Sequence, residues 1–453
     1  MNLFTDYFNK LVKKDTHTNT QTHQNIALLL ALAAKLRRED EDYNKVLATI
    51  VQTTMQMGLP AEAYNAAMLM PQEERERYKV NTIVDYLENY PCQGLTATIE
   101  ISTVCNLRCP LCFHGGDRPY DNLGKLMPLK TFKHIWDKIA PHTQMAIMVG
   151  QGETFLHPQI YEMLDYMGDA NIYVDTNGNV SLKPERILNR VRTLVFSIDG
   201  VDQRTYEKYR VRGKFDLAMR NLKAMVAAKR AAKAEYPQII FKYVLFKHNE
   251  MYLETAEKLA GDIGVDGFRV EPCVATSGDS TEQIKKFMPR GHNATQRICH
   301  IDFDQRATVA DESRDSPYCL HQMTNYSVLV DGSVAGCCAS ILESTFGNLS
   351  ERNLEEIWHS PAYREFRKSA LVNRFELPAC ANCTMNRNNL GPIFDGTALR
   401  YPQRATPSQN ILRVADLRID EEYAQELREQ GLENELEYFI TSGKYAQPHE
   451  AAS

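Results

Sequence analysis

The chain alternates short apolar strands with helices from residue 95 onward, and this alternation constrains the fold more than any other feature. The predicted strands span residues 96–101, 145–149, 172–175, 193–198, 239–245 and 267–270. The predicted helices between them span residues 129–140, 158–167, 184–189, 215–233 and 252–263. Repeated strand–helix units are typical of a parallel sheet with right-handed crossovers. We therefore predict an α/β fold with a partial (β/α)6 TIM-like barrel.

Three cysteines follow the first predicted strand directly. Cys105, Cys109 and Cys112 have the spacing CxxxCxxC, and Phe113 closes the group. Thiolates select zinc, Cu(I) or iron–sulfur clusters. A closed zinc site usually takes four ligands in two separated pairs, whereas three thiolates on one loop leave one iron of a cluster open. A zinc knuckle remains the alternative for this spacing alone. The loop falls at the C-terminal end of a strand, where barrels carry their chemistry.

Three further segments lie at the ends of the next three strands. The second strand is followed by residues 150–158, which contain Gly152 and Glu153, and the third by a Thr-Asn-Gly turn at residues 176–178. After the fourth strand come Ser197-Ile-Asp-Gly and then Arg210. Together with the cysteine loop, these segments resemble the motifs of the radical SAM (S-adenosylmethionine) enzymes in their order. Thr154 stands where that family usually has proline, and the resemblance covers residues 95–275.

The resemblance implies both cofactors and site residues. In that family a [4Fe–4S] cluster on the cysteine loop binds SAM and cleaves it to a 5′-deoxyadenosyl radical. The implied metal ligands are Cys105, Cys109 and Cys112. The implied SAM-binding residues are Phe113, Gly152, Glu153, Thr176, Asn177, Ser197, Arg210 and Val270. Simpler explanations stay open for three of these positions, since Asn177 begins a favoured Asn-Gly turn pair, Arg210 could be a surface residue and Val270 could be barrel core.

A second set of cysteines follows the barrel. Cys319 and Cys337 flank Asp331-Gly332, which predicts a hairpin, and Cys380 and Cys383 form a later CxxC pair. Four thiolates can hold a [4Fe–4S] cluster or zinc. In this context they resemble the SPASM extension of radical SAM enzymes. Because the later SPASM cysteines are absent, the single-cluster twitch form is the closer match, and it implies a second, auxiliary [4Fe–4S] cluster.

Cys338 has two interpretations. Neighbours on a hairpin point to opposite faces, so Cys337 and Cys338 are not expected to bind one cluster together. Cys338 is then either a small buried residue or a candidate hydrogen-atom donor to a substrate radical. We favour the buried residue. Cys273 and Cys299 could take either role or substitute as a ligand.

The flanking regions contain no motif with a chemical role. Residues 1–92 are predicted to be helical, with helices over 25–36, 43–57, 61–70 and 72–89. The predicted domains are this region, the barrel core at 93–275, the small cysteine-rich α+β domain at 276–395 and a C-terminal helix and tail at 396–453. A polar bridge without clear pattern is predicted at 277–316, and one helix at 421–440.

Composition excludes several classes of function. The 453 residues carry a net charge of −6, so no basic surplus indicates nucleic acid or an anionic membrane. No apolar run is long enough to span a membrane, and no secretory signal is visible. Eleven cysteines in such a chain indicate metal or redox chemistry rather than disulfides. We therefore expect a cytoplasmic protein.

The sequence predicts a radical enzyme of the oxidoreductase type. The expected substrate is a peptide or protein that undergoes maturation, oxidation, cross-linking or epimerisation, and a flavodoxin or ferredoxin is the expected electron donor. One alternative is a dehydrogenase of a small sugar-like alcohol. Two alternatives of other classes are a zinc-binding interaction protein and a SAM-dependent methyltransferase without radical chemistry.

Overall fold

The computed structural model describes most of the barrel and part of each flanking region. The described residues are 41–56, 60–116, 120–273, 286–287, 299–302, 307–309, 319, 321–337, 341, 344–378, 380, 393–394, 399–400, 421–429 and 431–441. Four helices precede the barrel: α1 (Glu41–Gln56), α2 (Pro60–Met68), α3 (Gln72–Arg77) and α4 (Asn81–Glu88). The predicted helix at 25–36 lies outside the described residues.

Six parallel strands build the centre of the fold. They are β1 (Leu95–Ile99), β2 (Thr143–Met148), β3 (Ile172–Thr176), β4 (Thr193–Ser197), β5 (Gln238–Leu245) and β6 (Gly267–Pro272). The helices between them are α5 (Leu129–Ile139), α6 (Ile160–Met167), α7 (Pro184–Ile187), α8 (Gln203–Glu207), α9 (Phe215–Ala232) and α10 (Leu253–Ile263). Each strand pairs in parallel with the next one along the chain. The predicted partial barrel is thereby confirmed.

Alternate residues of the barrel strands face the helices and the concave interior. In β3, Ile172 and Val174 are buried, whereas Tyr173 and Asp175 are partly exposed. The Tyr173 hydroxyl accepts a hydrogen bond of 2.7 Å from Nη1 of Arg269 on β6. Because β4 and β5 separate β3 from β6 in the sheet, this bond crosses the interior of the barrel. The interior is therefore polar, although the surface beneath the helices is apolar.

The chain beyond β6 extends the same sheet at both edges. Its elements are β7 (Cys299–Asp302), β8 (Ala307–Val309), α11 (His321–Thr324), β9 (Asn325–Val328), β10 (Ser333–Ala335), β11 (Thr345–Asn348), α12 (Leu354–Trp358) and α13 (Pro361–Asn373). β7 and β8 continue beyond β6 as antiparallel strands. β9 pairs in parallel with β1, where Ala97 lies opposite Tyr326. Two short strands, β12 (Ile393–Phe394) and β13 (Leu399–Arg400), form a separate pair, and α14 (Glu421–Glu429) and α15 (Glu433–Thr441) end the described chain.

The predicted hairpin is confirmed between β9 and β10. The Leu329 amide donates a hydrogen bond of 2.8 Å to the carbonyl of Ser333, and the Gly332 amide donates one of 2.9 Å to the carbonyl of Leu329. Gly332 has a φ of 86°, which a side chain would strain. The Asp331 carboxylate accepts from the Ser333 amide at 2.9 Å. The Asp-Gly pair thus supplies both the polar turn residue and the left-handed residue.

Three predictions about the flanking regions were wrong. The helix predicted over 72–89 is two helices, because the chain turns at Lys79, which has a φ of 56°. The helix predicted over 421–440 is also two helices, and they are separated at Gly431, which has a φ of 64°. The bridge predicted at 277–316 contains β7 and β8, whose four and three residues are too few to show an alternating pattern. Among the described helices, none is long and apolar enough to cross a membrane.

Candidate active site

The cysteine loop lies between β1 and α5, at the C-terminal end of the strand. The Cys112 amide donates a hydrogen bond of 3.0 Å to the carbonyl of Cys109, and the Gly116 amide donates one of 2.8 Å to the carbonyl of Cys112. Gly115 has no room for a side chain, because a Cβ there would overlap backbone carbonyl oxygens of the same loop. Cys109 is 7% exposed, whereas Cys105 and Cys112 are partly exposed. The loop is thus tightly curled, with the thiol of Cys109 buried and those of Cys105 and Cys112 partly exposed.

The three thiols are close enough to affect one another's ionisation. Burial is the main cause that raises the pKa of Cys109 to about 12, while the guanidinium of Arg210 opposes the rise. Burial also raises the pKa of Cys105, and the nearby Cys112 adds to that rise. Thiolates in this loop therefore need a strong positive partner, which the irons of a cluster supply.

The donor set of the cysteine loop consists of three thiols. In the described part of the chain, no three His, Cys, Asp or Glu side chains meet closely enough to bind a single metal ion. A four-iron cluster attaches each thiolate to a different iron, so its ligands stand further apart. Three soft thiolates on one loop fit an iron–sulfur cluster with one iron left open.

Gly152 brings the loop after β2 into contact with the cysteine loop. A Cβ on Gly152 would lie 2.5 Å from the carbonyl oxygen of Ser102 and 2.8 Å from that of Val104, so only glycine fits. The next amide, that of Glu153, donates a hydrogen bond of 2.9 Å to the carbonyl of Val104. The second strand-end loop is thereby fixed to the backbone just before Cys105.

The Glu153 carboxylate joins the loop after β2 to the turn after β3. It accepts hydrogen bonds from the hydroxyl of Thr176 at 2.7 Å, the amide of Asn177 at 2.7 Å and the amide of Phe155 at 3.2 Å. Glu153 is 3% exposed, and burial raises its pKa although these hydrogen bonds oppose the rise. Its carboxylate therefore acts as a structural acceptor between two loops.

Asn177 extends this chain of contacts back to the cysteines. Its Nδ2 donates a hydrogen bond of 3.0 Å to Oδ1 of Asn106 and lies 3.9 Å from Sγ of Cys105. The Asn106 side chain in turn donates to the carbonyl of Asn179 at 2.7 Å. The Asn-Gly pair is therefore more than a tight turn, because its side chain contacts a thiol of the cysteine loop.

Arg210 is a partly buried residue that forms an ion pair with the fully buried Asp199. Its Nε donates to the Asp199 carboxylate at 2.5 Å, and the two side chains are 15% and 0% exposed. The other oxygen of Asp199 accepts from the amide of Val244 at 2.8 Å, so the carboxylate is fixed to β5. Ser197, at the end of β4, is buried two residues before Asp199. The Arg210 charge opposes the rise that burial causes in the pKa of Cys109.

Phe113 and Val270 lie in different surroundings. Phe113 packs against Tyr120, with ring centroids 5.2 Å apart, and belongs to a buried cluster with Leu329 and Ala335 of the C-terminal hairpin. Val270 is 2% exposed and lies opposite Tyr243 in the sheet. Phe113 thus links the cysteine loop to the second cysteine region, and Val270 belongs to the barrel wall.

An ionic network inside the barrel was not predicted. Lys242 on β5 donates a hydrogen bond of 2.8 Å to the Asp175 carboxylate on β3, and Tyr173 donates one of 3.2 Å to the other oxygen. Arg269 lies 3.5 Å from Glu271 on the same strand. The signal for this network was the period-2 placement of charged residues in apolar strands, which marks the interior face.

The described cysteines of the second set approach one helix. The Cys319 amide donates a hydrogen bond of 2.9 Å to the carbonyl of Ala370 on α13. Cys337 follows Gly336, where a Cβ would lie 2.5 Å from the ring of Phe366 on the same helix. Cys380 comes after the C-terminal end of α13, and all three cysteines are buried. Cys383 and Cys338 lie outside the described residues, and the side chain of Cys299 does too.

A parallel partial barrel with a three-thiol loop after its first strand defines a class of iron–sulfur enzymes that use SAM. Residues 99–260 match the radical SAM superfamily. Residues 319–384 match the SPASM domain, an iron–sulfur cluster-binding domain. The protein accordingly uses a [4Fe–4S] cluster, SAM and an auxiliary iron–sulfur cluster.

Several characterised proteins resemble this chain. The tungsten-containing aldehyde ferredoxin oxidoreductase cofactor-modifying protein of Pyrococcus furiosus is 22% identical over 63% of this chain and 86% of its own length. The antilisterial bacteriocin subtilosin biosynthesis protein AlbA of Bacillus subtilis is 23% identical over 59% of this chain and 60% of its own. Among solved structures, Streptococcus suis SuiB bound to SAM is 15% identical, covers 70% of this chain and 79% of its own, and has a TM-score of 0.48.

Proposed function

We propose that this protein removes a hydrogen atom from a C–H bond of a peptide or protein. In this proposal Cys105, Cys109 and Cys112 hold the [4Fe–4S] cluster that binds SAM. The auxiliary cluster is held by Cys319, Cys337, Cys380 and Cys383. When bound, these groups supply the electron that cleaves SAM to methionine and a 5′-deoxyadenosyl radical, and an acceptor for the electron left on the substrate.

The observation that carries the proposal is the continuous contact among the strand-end loops. Gly152 and Glu153 fix the loop after β2 to the backbone before Cys105, and Glu153 holds Thr176 and Asn177. Asn177 then contacts Cys105. Loops from three strands are thus held around one thiol by hydrogen bonds of the chain itself. Such preorganisation is what positioning a reactive cofactor requires.

The residues of the assembly have distinct roles in the proposal. Gly152 lets the ligand's amino group approach backbone carbonyls, because no side chain covers them. Arg210 and Ser197 bind the SAM carboxylate and ribose, and Val270 packs against adenine. Phe113 shields the cluster on the side of the C-terminal hairpin. Exclusion of water at this site keeps the radical from side reactions.

Two observations support a peptide substrate. The barrel interior carries both cations and anions, Lys242 and Arg269 with Asp175 and Glu271, which suits the amides and charged side chains of a peptide. AlbA, a relative of similar sequence, is named for the biosynthesis of a bacteriocin. Loss of a hydrogen atom followed by loss of an electron and a proton oxidises or cross-links such a substrate. A flavodoxin or ferredoxin would supply the first electron.

The same site could support one other reaction and one other substrate class. Return of a hydrogen atom from a thiol, for which Cys338 is the candidate, would give epimerisation without net oxidation. Oxidation of a small sugar-like alcohol is the alternative for the substrate. The two substrate classes can be distinguished by the source of the abstracted hydrogen. A peptide substrate is found in the peptide fraction of the cell, and an alcohol in the small-molecule fraction.

Deuterium transfer tests the proposal directly. The anaerobically reconstituted enzyme, with SAM and dithionite, is incubated with peptide and small-molecule fractions from cells grown in deuterated medium. We expect deuterium in 5′-deoxyadenosine only with the peptide fraction, and none with the Cys109→Ala variant. Transfer from the small-molecule fraction alone would establish the alcohol alternative. Zinc in place of iron in the purified protein would exclude the radical reaction altogether.

A further inference from the structure

Arg367 is a buried guanidinium without an acceptor. It lies on α13 and is 1% exposed. Within the described part of the chain, Nε, Nη1 and Nη2 all lack a hydrogen-bond partner. Leaving a buried donor unsatisfied costs about 1–3 kcal/mol, and more for a charged group. A side chain with all three nitrogens in this condition indicates a partner other than the described residues.

Two aromatic rings hold the guanidinium in place. Its Cζ lies 4.2 Å from the ring centroid of Trp358 and 4.8 Å from that of Tyr363. Cation–π contacts stabilise the charge, but they use the face of the guanidinium and leave the N–H groups on its edge unpaired. The rings therefore orient the side chain and do not satisfy its donors.

The nearby thiol of Cys92 does not provide the missing anion. Burial raises the pKa of Cys92 to about 12 even though Arg367 lowers it. Cys92 is therefore a neutral thiol near neutral pH and only a weak acceptor. No carboxylate forms an ion pair with Arg367 among the described residues.

Arg367 lies between the two positions on α13 that the segments carrying Cys337 and Cys319 approach. Phe366, the residue before it, contacts Gly336, and Gly336 precedes Cys337. Ala370, three residues after it, accepts the hydrogen bond of the Cys319 amide. The chain segments that carry both cysteines therefore meet α13 beside Arg367. A cluster held by these cysteines would carry net negative charge on its sulfurs.

We propose that Arg367 donates N–H···S hydrogen bonds to the auxiliary iron–sulfur cluster and raises its reduction potential. Reduction adds one negative charge to the cluster, and a buried cation stabilises that charge strongly in a low-dielectric interior. The arginine thereby makes the cluster a better acceptor for the electron left on the substrate. This inference rests on the ligand assignment of the proposed function, and it adds a residue that sets the direction of electron flow.

Redox titration of the reconstituted holoenzyme followed by EPR tests the inference. At the wild-type midpoint potential of the auxiliary cluster, we expect Arg367→Gln to lower the ratio of reduced to oxidised cluster about tenfold, a shift of about 59 mV for a one-electron couple. Arg367→Lys keeps the charge and should restore most of the potential. The radical SAM cluster should titrate unchanged in both variants.

Arg364→Gln is the matched control on the same helix. Nη1 of Arg364 donates to Oδ1 of Asn89 at 2.9 Å, outside the cysteine region. This variant should leave both potentials unchanged. An Arg367→Gln enzyme with full iron content and an unchanged auxiliary potential would overturn the inference and leave the proposed function standing. Wild-type protein with iron for only one cluster would overturn the ligand assignment itself.

A second measurement does not depend on a variant that folds. In wild-type enzyme labelled with ¹⁵N-arginine, N–H···S bonding should produce a ¹⁵N hyperfine coupling on the EPR signal of the reduced auxiliary cluster. The coupling should be lost in Arg367→Lys. If labelled wild-type enzyme shows no such coupling, Arg367 does not contact the cluster and the inference is wrong.

Discussion

The indole Nε1 of Trp358 donates a hydrogen bond of 2.7 Å to the carbonyl of Tyr90. This bond joins α12, in the second cysteine region, to the segment between the N-terminal helices and β1. Nearby, Nδ2 of Asn65 donates to the carbonyl of Leu371 on α13 at 2.9 Å. The N-terminal helices, which carry no catalytic motif, therefore brace the helix that also carries Arg367.

Trp358→Phe should destabilise the folded protein. It removes the hydrogen bond to the Tyr90 carbonyl and opens a small cavity, at a cost of about 1–3 kcal/mol in the free energy of unfolding. Trp136→Phe is the control, since Trp136 is also buried on α5 but has no comparable bond among the described contacts. Thermal unfolding of both variants measures the difference. Equal losses of stability in the two variants would show that the hydrogen bond of the indole contributes nothing beyond the packing of the ring.

Cys109→Ala should remove one cluster and leave the other. We expect the reconstituted variant to lose about four irons per chain, to keep the auxiliary cluster and to form no 5′-deoxyadenosine. Iron analysis and product chromatography measure both effects. Cys92→Ala, which replaces a buried cysteine outside both sets, should keep the wild-type iron content. Wild-type iron in Cys109→Ala would contradict the ligand assignment.

Asp199→Asn should be strongly destabilising because it leaves the partly buried Arg210 charge without its partner. Breaking a buried pair on one side costs about 3–5 kcal/mol. Asp165→Asn provides the contrast, since the pair of Asp165 with Arg186 has the short distance of 2.6 Å but is 46% and 40% exposed. That exposed pair should be worth about 0–1 kcal/mol. Denaturant unfolding distinguishes the two, and similar losses would show that burial does not matter here.

Glu100 should make stability depend on pH. Burial raises its pKa, although hydrogen bonds from Tyr120 and Gln151 oppose the rise. A raised folded pKa favours the protonated form, so its contribution to stability is complete below the unfolded pKa and is lost as pH rises through the folded value.

The Glu100→Gln variant isolates this contribution. Between pH 5 and pH 8, wild-type stability should fall relative to that of the variant, by at most about 1.4 kcal/mol per pH unit. Thermal unfolding of both proteins across that range gives the difference. Glu162→Gln, at an exposed position on α6, should follow the wild-type curve. A constant gap between Glu100→Gln and wild type would show that Glu100 is ionised in the folded protein across this range, so that burial does not raise its pKa into it.

Local signals explain why the barrel could be predicted from the sequence. Each strand is an apolar segment, and each motif follows its strand within a few residues, as Asn177 follows β3. Asp331 and Gly332 similarly define their turn by their own conformations. These features depend on residues adjacent in the chain, so they can be predicted from the sequence alone.

The missed features depend on residues far apart in the chain. The interior pair of Asp175 and Lys242 forms only because the sheet curves, and the burial of Arg367 depends on packing against Trp358 and Tyr363. The ion pair of Arg210 forms with Asp199, eleven residues earlier in the chain. The sequence showed that these side chains are charged but could not show their partners.

The pairing of β9 with β1 has a consequence for how the protein is made. Until Tyr326 leaves the ribosome, β1 is an edge strand with unpaired backbone groups, which can pair with other chains. Contacts of such long range slow folding and prolong the exposure of intermediates. The pairing of β1 is therefore complete only after the second cysteine region has been synthesised. A chain cut before β9 should aggregate rather than survive as an independent barrel.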